Sequence, residues 1–472
     1  MARFRQQTRM PVSADALYRW HARPGAFERL APPWETMETV EATGGIEDGA
    51  RRVFDIQQGP LSVRWVAEHR DHVEGRQFVD EQVRGPFARW VHTHRFEERG
   101  DGQSLLIDDV EYALPGGPLG SLVGGAKTET MLQRMFAFRH RRTADDLRRH
   151  AVSDVDGALR VAITGSSGSI GRALAAFLET GGHQVLRLVR DRHRCGDGAI
   201  YWSPADGDID GDALEGIDAV VHLAGEPVQG RWTDDKRRAI EDSRVDGTEL
   251  LARTLAGLDE PPEVFVSASA IGYYGDTGDA MVDENGALGD GFLSEVCRGW
   301  EAAAEPARRA GIRTVWPRFG VVLDPGHGAL PEMLHAVKFG MASRLGSGDQ
   351  YVSWIDIDDA IAAIFMLIRR SDLAGPFNIT APSPVTNRAL LSTIGDVVNR
   401  PNVVPVPASA LQIALGERAA REMVLVSQRA MPTRLEEAGF EFFYGDLEAS
   451  LQMKLGRLAS AKIDVPITAD AS

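Results

Sequence analysis

The sequence has few cysteines, no long apolar run and no excess of basic residues. Its 472 residues include two cysteines, Cys195 and Cys297, which excludes a disulfide framework and a four-cysteine metal site. No apolar run reaches the ~18 residues of a membrane span, and the N-terminus contains no apolar signal-peptide core. We therefore expect a cytoplasmic protein without a membrane partner.

The negative charge is unevenly distributed along the chain. Residues 1–150 hold 22 basic and 22 acidic side chains, so the whole net charge of -16 lies in residues 151–472. An acidic body of this size repels a nucleic-acid backbone, and no basic patch opposes that repulsion. We therefore expect no nucleic-acid partner, and any phosphorylated ligand must be held by local donors.

The chain changes character near residue 150. Its length favours two or three domains, and the segment HAVSDVDGAL (150–159) is small and polar, as in a linker. We place one domain at 1–150, a linker at 151–158, further domains from 159 onward and a loose tail at 461–472.

Strand-like stretches separated by Gly, Pro and Asp dominate the first domain, as expected of an antiparallel meander. They are Arg51–Ile56, Leu61–His69, Gln77–Val83, Trp90–Phe96 and Ser104–Leu114. Two short helices, Ser13–Trp20 and Pro24–Arg29, precede them, and a long helix, Leu119–His150, follows. This order predicts an α+β helix-grip domain.

Three stretches of the first domain are distinctive: RLAPPWE (29–35), RWVAEH (64–69) and FVDEQVRGPFARWVHTHRF (78–96). With them the domain resembles the SRPBCC (START-like, polyketide cyclase-like) superfamily over about residues 3–150. The resemblance implies a curved sheet and a long helix that enclose an apolar ligand.

Two histidines in this domain are placed for metal binding. His92 and His94 lie two residues apart, on one face of a predicted strand, where imidazoles can bind a metal ion. Because no third ligand stands out, we favour a polar strand face with two solvated imidazoles and assign no metal.

Strands and helices alternate from Arg160 onward. The stretches LRVAITG, HQVLRLVR, DAVVHLAG, EVFVSAS, RTVWPRFGVVL and PFNITA read as strands, and they are largely apolar. This pattern predicts an α/β domain built on a doubly wound parallel sheet.

The first of these strands runs through a glycine-rich turn directly into the helix SIGRALAAFLETGG. The glycines allow a tight turn and close backbone approach to a pyrophosphate, and the helix N-terminus supplies free N–H groups. The sequence thus predicts a Rossmann dinucleotide site at Gly165, Ser166, Ser167, Gly168, Ser169, Ile170 and Gly171. To it we add, as cofactor contacts from two further strands, Leu223, Ala224, Gly225 and Pro317.

The end of the second strand distinguishes NADP from NAD. An acidic residue there binds the ribose 2′-OH of NAD, but this chain has Val189 at that position and Arg190 after it. A guanidinium suits a 2′-phosphate, because it forms paired charged hydrogen bonds. We therefore expect NADP(H), with NAD as the weaker alternative that Asp191 keeps open.

Further motifs follow the phosphate loop, among them VVHLAGEPVQGRWTDDKRRAIEDSRVDGT (220–248), VFVSASAIGYYGDTGD (264–279) and GFLSEVCRGWEAAA (291–304). With them the chain resembles the NAD-dependent epimerase/dehydratase family, in its atypical short-chain dehydrogenase/reductase branch, over residues 160–455. The resemblance implies a Rossmann domain of the extended short-chain dehydrogenase type at 159–415. It also implies that family's small C-terminal domain of unknown function, at 416–460.

The catalytic pair of that superfamily is absent. Ordinary members use serine, tyrosine and lysine, the last two lying four residues apart on one helix face. None of the seven tyrosines here is followed by lysine at that spacing. Alignment on Ser269, at the superfamily's serine position, leaves Leu293 for the tyrosine and Cys297 for the lysine, and neither performs that chemistry. The atypical branch shares this departure.

Other groups lie beyond strand ends, where doubly wound sheets bind their ligands. Tyr273 and Tyr274 are candidate proton donors, and Ser269 is the candidate for orienting the carbonyl. Candidate substrate contacts are Glu226, Arg231 and Trp232, with Trp354 and Asp356 of second rank. We interpret Lys236 and Arg244 as solvated helix residues.

Two functions are compatible with these features. The phosphate loop, the serine and the tyrosines favour an NADP(H)-dependent oxidoreductase or epimerase-like enzyme that acts on a carbonyl or alcohol. The missing tyrosine–lysine pair favours a non-catalytic NADP(H) sensor. We expect a small-molecule substrate, an apolar ligand of the first domain, and a monomer or homodimer.

Overall fold

The computed structural model describes residues 1–59, 61–151, 157–196 and 198–458. The chain forms two compact units. The N-terminal unit comprises Met1–Asp156, Ala176–Gly182 and Gln452–Ser472, and the C-terminal unit comprises Gly157–Ala175 and His183–Leu451. Most of the linker expected at 151–158, and all of the tail expected at 461–472, lie outside the described residues. Within the described ranges, no helix combines the length and apolarity that a membrane crossing requires.

The N-terminal unit is built on an antiparallel sheet. Its strands are β1 (Ala2–Met10), β2 (Met37–Thr43), β3 (Arg51–Gln58), β4 (Leu61–Val73), β5 (Gln77–Arg84), β6 (Arg89–Gly100) and β7 (Gln103–Ala113). Its helices are α1 (Ala14–Ala22), α2 (Ala26–Leu30) and α3 (Gly117–Ala151). The strand order is β1-β7-β6-β5-β4-β3-β2, and every neighbouring pair is antiparallel.

Side chains alternate between the two faces of these strands, and a row of large side chains on one face lies against α3. Trp65 of β4 and Trp90 of β6 pack in one cluster with Leu132 and Phe136 of α3. Because side chains alternate between the two faces of a strand, one face of the sheet is closed by the long helix. This arrangement confirms the predicted α+β helix-grip fold.

Two features of this unit differ from the expectation. The sequence pattern does not predict β2, because almost all of its side chains are exposed and it carries no buried periodicity. His92 and His94 are only 2% and 7% exposed. The expectation of solvated imidazoles is therefore wrong, since the His92 ring lies near Phe136 of α3 and the His94 ring stacks on Phe78 of β5.

The chain from Arg160 onward alternates strands and helices. The strands are β8 (Arg160–Thr164), β9 (Gln184–Val189), β10 (Ala199–Ser203), β11 (Asp208–Ile209), β12 (Ala219–His222), β13 (Val264–Ser267), β14 (Ser269–Ala270), β15 (Met281–Val282), β16 (Arg313–Phe319), β17 (Val321–Leu323), β18 (Met341–Leu345), β19 (Tyr351–Val352), β20 (Trp354–Asp356), β21 (Gly375–Ile379), β22 (Val385–Thr386), β23 (Val404–Val406) and β24 (Arg429–Ala430). The helices are α4 (Ser169–Gly181), α5 (Asp234–Ala256), α6 (Phe292–Ala303), α7 (Glu305–Arg309), α8 (Ala329–Lys338), α9 (Ile357–Arg369), α10 (Asn387–Val397), α11 (Ala408–Leu415), α12 (Glu417–Ala419), α13 (Thr433–Glu437) and α14 (Leu447–Lys454).

The main sheet of the C-terminal unit has the order β11-β10-β9-β8-β12-β13-β16-β14, and β21 also pairs with β16. All of these pairs are parallel except β10 with β11. Apolar strand residues such as Val220 and Phe265 pack with Leu251 and Leu255 of α5. This confirms the predicted doubly wound Rossmann fold.

The strand order reverses at β8, which lies between β9 and β12. Chain connections leave the sheet in opposite directions on the two sides of such a switch point, and a crevice opens at the carboxyl ends of the strands. The phosphate loop after β8 and the segments after β12 and β13 therefore meet at one edge of the sheet.

Candidate functional site

The glycines of the phosphate loop are required by close backbone packing. Gly165 has φ +67°, and a side chain there would lie 2.8 Å from the carbonyl carbon of Leu223. A side chain at Gly171 would lie 2.3 Å from the carbonyl oxygen of Gly165. Ser167 and Gly168 are exposed at the start of α4. The loop is thus a glycine cradle with an accessible helix N-terminus, the arrangement that suits a pyrophosphate.

The segment after β12 is held against this loop by a buried threonine. The Thr164 hydroxyl oxygen lies 3.1 Å and 3.2 Å from the N–H groups of Leu223 and Ala224, from which it accepts hydrogen bonds. It also lies 2.7 Å from Nδ1 of His222, and burial lowers the pKa of His222 to about 3. Leu223 and Ala224 therefore lie beside the cradle, whereas Pro317 is buried inside β16.

Arg190 follows the last residue of β9, next to the phosphate loop. β8 and β9 are paired in parallel, with Thr164 opposite Leu188. Arg190 is exposed, and in the described part of the chain it forms no ion pair. Arg192 is different, because its guanidinium is 2.5 Å from Asp208 and stacks 3.7 Å above the Tyr201 ring. Of these two neighbouring guanidiniums, that of Arg190 is available to a phosphate.

A carboxylate that sequence analysis overlooked lies at the same loop. The hydroxyl of Ser169, the first residue of α4, donates a hydrogen bond to Asp324. The Asp324 side chain is 15% exposed, and the His327 ring lies 3.4 Å from it. A negative charge at a helix N-terminus is favourable when the site holds no anion, but it repels a bound pyrophosphate.

Ser269 is engaged by a buried ion pair. Its hydroxyl donates a hydrogen bond to Glu301 over 2.7 Å, and Glu301 accepts two further bonds from Arg318, at 2.7 and 2.8 Å. A serine hydroxyl has one proton, so in this arrangement Ser269 has none left to donate to a substrate carbonyl. A basic residue inside the apolar strand RTVWPRFGVVL is the sequence signal that points to this pair.

The two tyrosines differ in their surroundings. Tyr274 is 4% exposed, accepts a hydrogen bond from Arg318 at 2.9 Å and donates one to Asn378 at 2.7 Å. Burial raises the pKa of Tyr274 to about 12, although Arg318 opposes this rise. The half-buried ring of Tyr273 lies 3.7 Å from the Arg318 guanidinium, and its hydroxyl bonds to no other described residue. Tyr273 is therefore the freer phenol of the two.

The helix that normally carries the tyrosine and lysine is present without them. α6 holds Leu293 and Cys297, and it packs on the turn before Tyr273, where a side chain on Gly272 would meet both. Cys297 is 4% exposed. Burial raises the pKa of its thiol to about 11. The structure thus makes Cys297 an apolar packing residue.

The expectation of a solvated Arg244 is wrong. Its guanidinium donates hydrogen bonds to the carbonyl oxygens of Glu226 at 2.9 Å and Ile240 at 3.0 Å, and lies 4.9 Å from the Trp300 ring. Burial lowers the pKa of Arg244. A side chain at Gly225 would lie 3.3 Å from the guanidinium carbon. Arg244 therefore fixes the segment after β12, on which Gly225 and Glu226 lie.

The remaining polar candidates lie on the segment between β12 and α5. Glu226 forms an ion pair of 2.6 Å with Lys236, which is therefore not simply solvated. Arg231 is exposed and forms no ion pair within the described ranges. The Trp232 ring packs against Phe292 and donates its N–H to a nearby backbone carbonyl. Arg231 is the one of these side chains whose charge is uncompensated.

Trp354 and Asp356 are buried and take part in the packing and hydrogen bonding of the core. Trp354 is completely buried and donates to the Ser383 carbonyl. Asp356 caps α9 by accepting from the N–H of Asp358, and it accepts the hydroxyl of Ser450. Both side chains lie in the core instead of facing a substrate, because β20 is paired with β17 and followed at once by α9.

Comparison with known families matches three parts of the chain. The model of the NAD dependent epimerase/dehydratase family matches residues 161–380. The model described as polyketide cyclase / dehydrase and lipid transport matches residues 10–136. A domain of unknown function, DUF1731, matches residues 406–453.

The chain is also similar to individual proteins over most of their length. The epimerase family protein Mb2239 of Mycobacterium bovis is 43% identical over 292 residues, which cover 62% of this chain and 96% of that protein. The crystal structure of a nucleoside-diphosphate sugar epimerase from Corynebacterium glutamicum superposes with a TM-score of 0.80 at 33% identity, covering 97% of this chain and 91% of that one. The human epimerase family protein SDR39U1, crystallised with NADPH, gives a TM-score of 0.58 at 31% identity, covering 64% of this chain and all of that one. This chain therefore belongs to the NAD dependent epimerase/dehydratase family.

Proposed function

We propose that this protein is an NADP(H)-dependent oxidoreductase that acts on a small carbonyl or alcohol substrate. The observation that carries the proposal is Arg190, an exposed guanidinium without an ion-pair partner among the described residues, at the end of β9. A 2′-phosphate beside the ribose gives this charge its partner. The similar human protein was crystallised with NADPH, which agrees with this assignment.

The residues present fit a dinucleotide. A Cβ atom at Gly165 or Gly171 would collide with the backbone of the loop or of the segment after β12, so the tight turn that suits a pyrophosphate requires both glycines. We propose that the N–H groups of Ser167 to Ile170 hold the pyrophosphate and that Leu223 to Gly225 border the rest of the nucleotide. The reduced nicotinamide, when bound, supplies a hydride to the substrate carbon.

The proton for the substrate oxygen needs a donor other than the usual tyrosine. We propose Tyr273, because its hydroxyl is not engaged by other described residues and its ring stacks on Arg318. The Arg318 guanidinium below the ring holds the ring in place through a cation–π contact. Tyr274 instead positions Arg318 through its hydrogen bond. Arg231 is our candidate for binding an anionic substrate group.

A second function is favoured by the bond between Ser269 and Glu301. If that bond persists with ligand present, the carbonyl-orienting proton is missing, as are the tyrosine and lysine replaced by Leu293 and Cys297. A protein with such a site binds NADP(H) without turnover and acts as a sensor. Turnover distinguishes this alternative from the enzyme.

The test measures cofactor affinity and turnover separately. NADPH and NADH are titrated into the full chain by calorimetry, and NADPH is expected to bind at least about tenfold more tightly, or about 1.4 kcal/mol. Arg190→Ala should remove most of this preference. Arg192→Ala is the matched control, since that guanidinium is already occupied by Asp208 and Tyr201. Equal affinities of the unaltered protein for the two cofactors would refute the assignment.

Turnover is then followed as NADPH oxidation with a panel of aldehydes, ketones and quinones. A substrate that is reduced supports the oxidoreductase. Tight NADPH binding without turnover of any carbonyl supports the sensor.

A further inference from the structure

Cross-strand pairing gathers histidines and aspartates on the inner face of the N-terminal sheet. Asp80 of β5 lies directly opposite His92 of β6, and His94 of β6 lies directly opposite Asp108 of β7. The side chains of His92, His94 and Asp108 are less than 10% exposed, and that of Asp80 is 19% exposed. The cluster belongs to the N-terminal unit and the phosphate loop to the C-terminal unit, and the proposed oxidoreductase makes no use of the cluster.

Asp80 faces one nitrogen of each imidazole. Its Oδ2 lies 3.0 Å from Nδ1 of His92 and 3.0 Å from Nε2 of His94. The two rings lie side by side, with centroids 3.8 Å apart. One ligand atom from each of the three residues falls within 4.8 Å of the others. A tetrahedral ion with bonds of about 2.0–2.1 Å keeps its ligand atoms about 3.3 Å apart, which is close to the 3.0 Å between the Asp80 oxygen and each of the two nitrogens.

Asp108 faces the other nitrogen of each ring. Its Oδ1 is 2.7 Å from Nε2 of His92 and 2.8 Å from Nδ1 of His94, although the latter is out of line for a hydrogen bond. Its Oδ2 bonds to His140 over 2.7 Å, and His140 bonds to the Thr8 hydroxyl over 2.8 Å. Histidines that bind a metal commonly donate the far ring N–H to a carboxylate in this way.

The proton count on the two rings favours a cation. Four ring nitrogens face carboxylate oxygens, but two neutral imidazoles have only two N–H groups. Without an ion, two such N–H groups serve only two of these four contacts. A divalent ion between Asp80 and the near nitrogens takes up the other two contacts, and the remaining nitrogen of each ring faces Asp108.

We propose that Asp80, His92 and His94 form a binding site for a divalent transition-metal ion of the Zn²⁺ type. Imidazole and carboxylate ligands together suit such ions, whereas Mg²⁺ and Ca²⁺ prefer oxygen ligands alone. Asp108, with His140 behind it, positions the two imidazoles. Asp80 is the most exposed member of the cluster and lies where the ion enters. A water molecule or a bound ligand completes the coordination.

The experiment uses the untagged full chain, stripped with a chelator and dialysed. It is titrated with Zn²⁺ and with Co²⁺, the metal content is measured by mass spectrometry, and the Co²⁺ spectrum is recorded. We expect one ion per chain, a Co²⁺ spectrum typical of nitrogen and oxygen ligands in tetrahedral geometry, and a higher melting temperature with metal. Absence of stoichiometric binding in the unaltered protein would overturn the proposal.

Variants locate the site. Asp108→Asn changes a residue that positions the imidazoles without contacting the ion, and it should weaken Zn²⁺ binding by roughly 10–100-fold. Asp80→Asn and His94→Gln, which each change a ligand, should weaken Zn²⁺ binding more than this. His193→Gln, at an exposed position of the C-terminal unit, should bind like the unaltered protein. Binding that is unchanged in Asp80→Asn and His94→Gln places the ion elsewhere and refutes the assignment.

Folding of the variants is checked by circular dichroism. If they fail to fold, X-ray absorption of the Zn²⁺-loaded unaltered protein decides, because the proposal requires scattering from two imidazoles. A spectrum without imidazole scattering contradicts it.

Discussion

Substitution of Glu301 by glutamine removes one charge from the ion pair beneath the candidate site and almost nothing from its volume. The Arg318 side chain is 4% exposed and that of Glu301 is 14% exposed. Burial alone lowers the pKa of Arg318, but its hydrogen bonds to Glu301 and the negative charge there more than offset this, so the pKa lies above its ordinary value. After the substitution, Arg318 keeps its charge and loses its anionic partner.

Removing one partner of a buried ion pair destabilises a protein by about 3–5 kcal/mol, because the remaining charge is uncompensated. We expect Glu301→Gln to lower the free energy of unfolding by about 3 kcal/mol or more, and the melting temperature by roughly 5–15 °C. Urea unfolding followed by tryptophan fluorescence measures the first quantity, and thermal unfolding by circular dichroism measures the second.

Glu295→Gln provides the matched control on the same helix. Its partner Arg298 and Glu295 itself are both more than half exposed, and such surface pairs contribute about 0–1 kcal/mol. The double variant Glu301→Gln/Arg318→Met should be more stable than Glu301→Gln alone, because it leaves no unpaired charge. If Glu301→Gln and Glu295→Gln lower stability equally, the reasoning on the buried pair is refuted.

Three further outcomes are expected. Gly171→Ala should abolish NADPH binding in calorimetry and destabilise by about 1–3 kcal/mol, because its new methyl group would lie 2.3 Å from a backbone oxygen of the phosphate loop. With any substrate found, Tyr273→Phe should lower turnover by ~10²–10⁴ at unchanged NADPH affinity. Tyr274→Phe should chiefly lower the stability of the protein, by about 1 kcal/mol. Equal turnover by Tyr273→Phe and by the unaltered protein would rule out Tyr273 as the proton donor. Iodoacetamide at pH 8 should label exposed Cys195 and spare Cys297, whose thiol, with a pKa of about 11, stays protonated; peptide mass spectrometry shows which thiol reacts.

The sequence by itself determined the two kinds of fold and the phosphate loop. GSSGSIG between an apolar strand and a helix is a local signal, because the turn, the strand and the helix N-terminus are contiguous in the chain. The same holds for the parallel sheet, whose strands are largely apolar, and for the meander, whose strands are separated by turn residues. The missing tyrosine–lysine pair is likewise readable from spacing alone.

The tertiary structure decided which polar side chains are engaged and which are available. Glu301 and Arg318 are 17 residues apart and meet Ser269 only through the pairing of β14 with β16. Arg244 lies on a helix whose sequence is mostly polar, yet its guanidinium is held by backbone carbonyls of a distant loop and of its own helix.

The tertiary structure also decides which residues form the histidine cluster of the N-terminal unit. The spacing of His92 and His94 predicts that they share one face of the strand, but it does not tell which face is buried. Asp80 and Asp108 join them because of the registers of β5 and β7 with β6. Register depends on which faces are buried against α3 and on the turns between the strands. No local pattern in the sequence contains that information, so the cluster appears only in the folded chain.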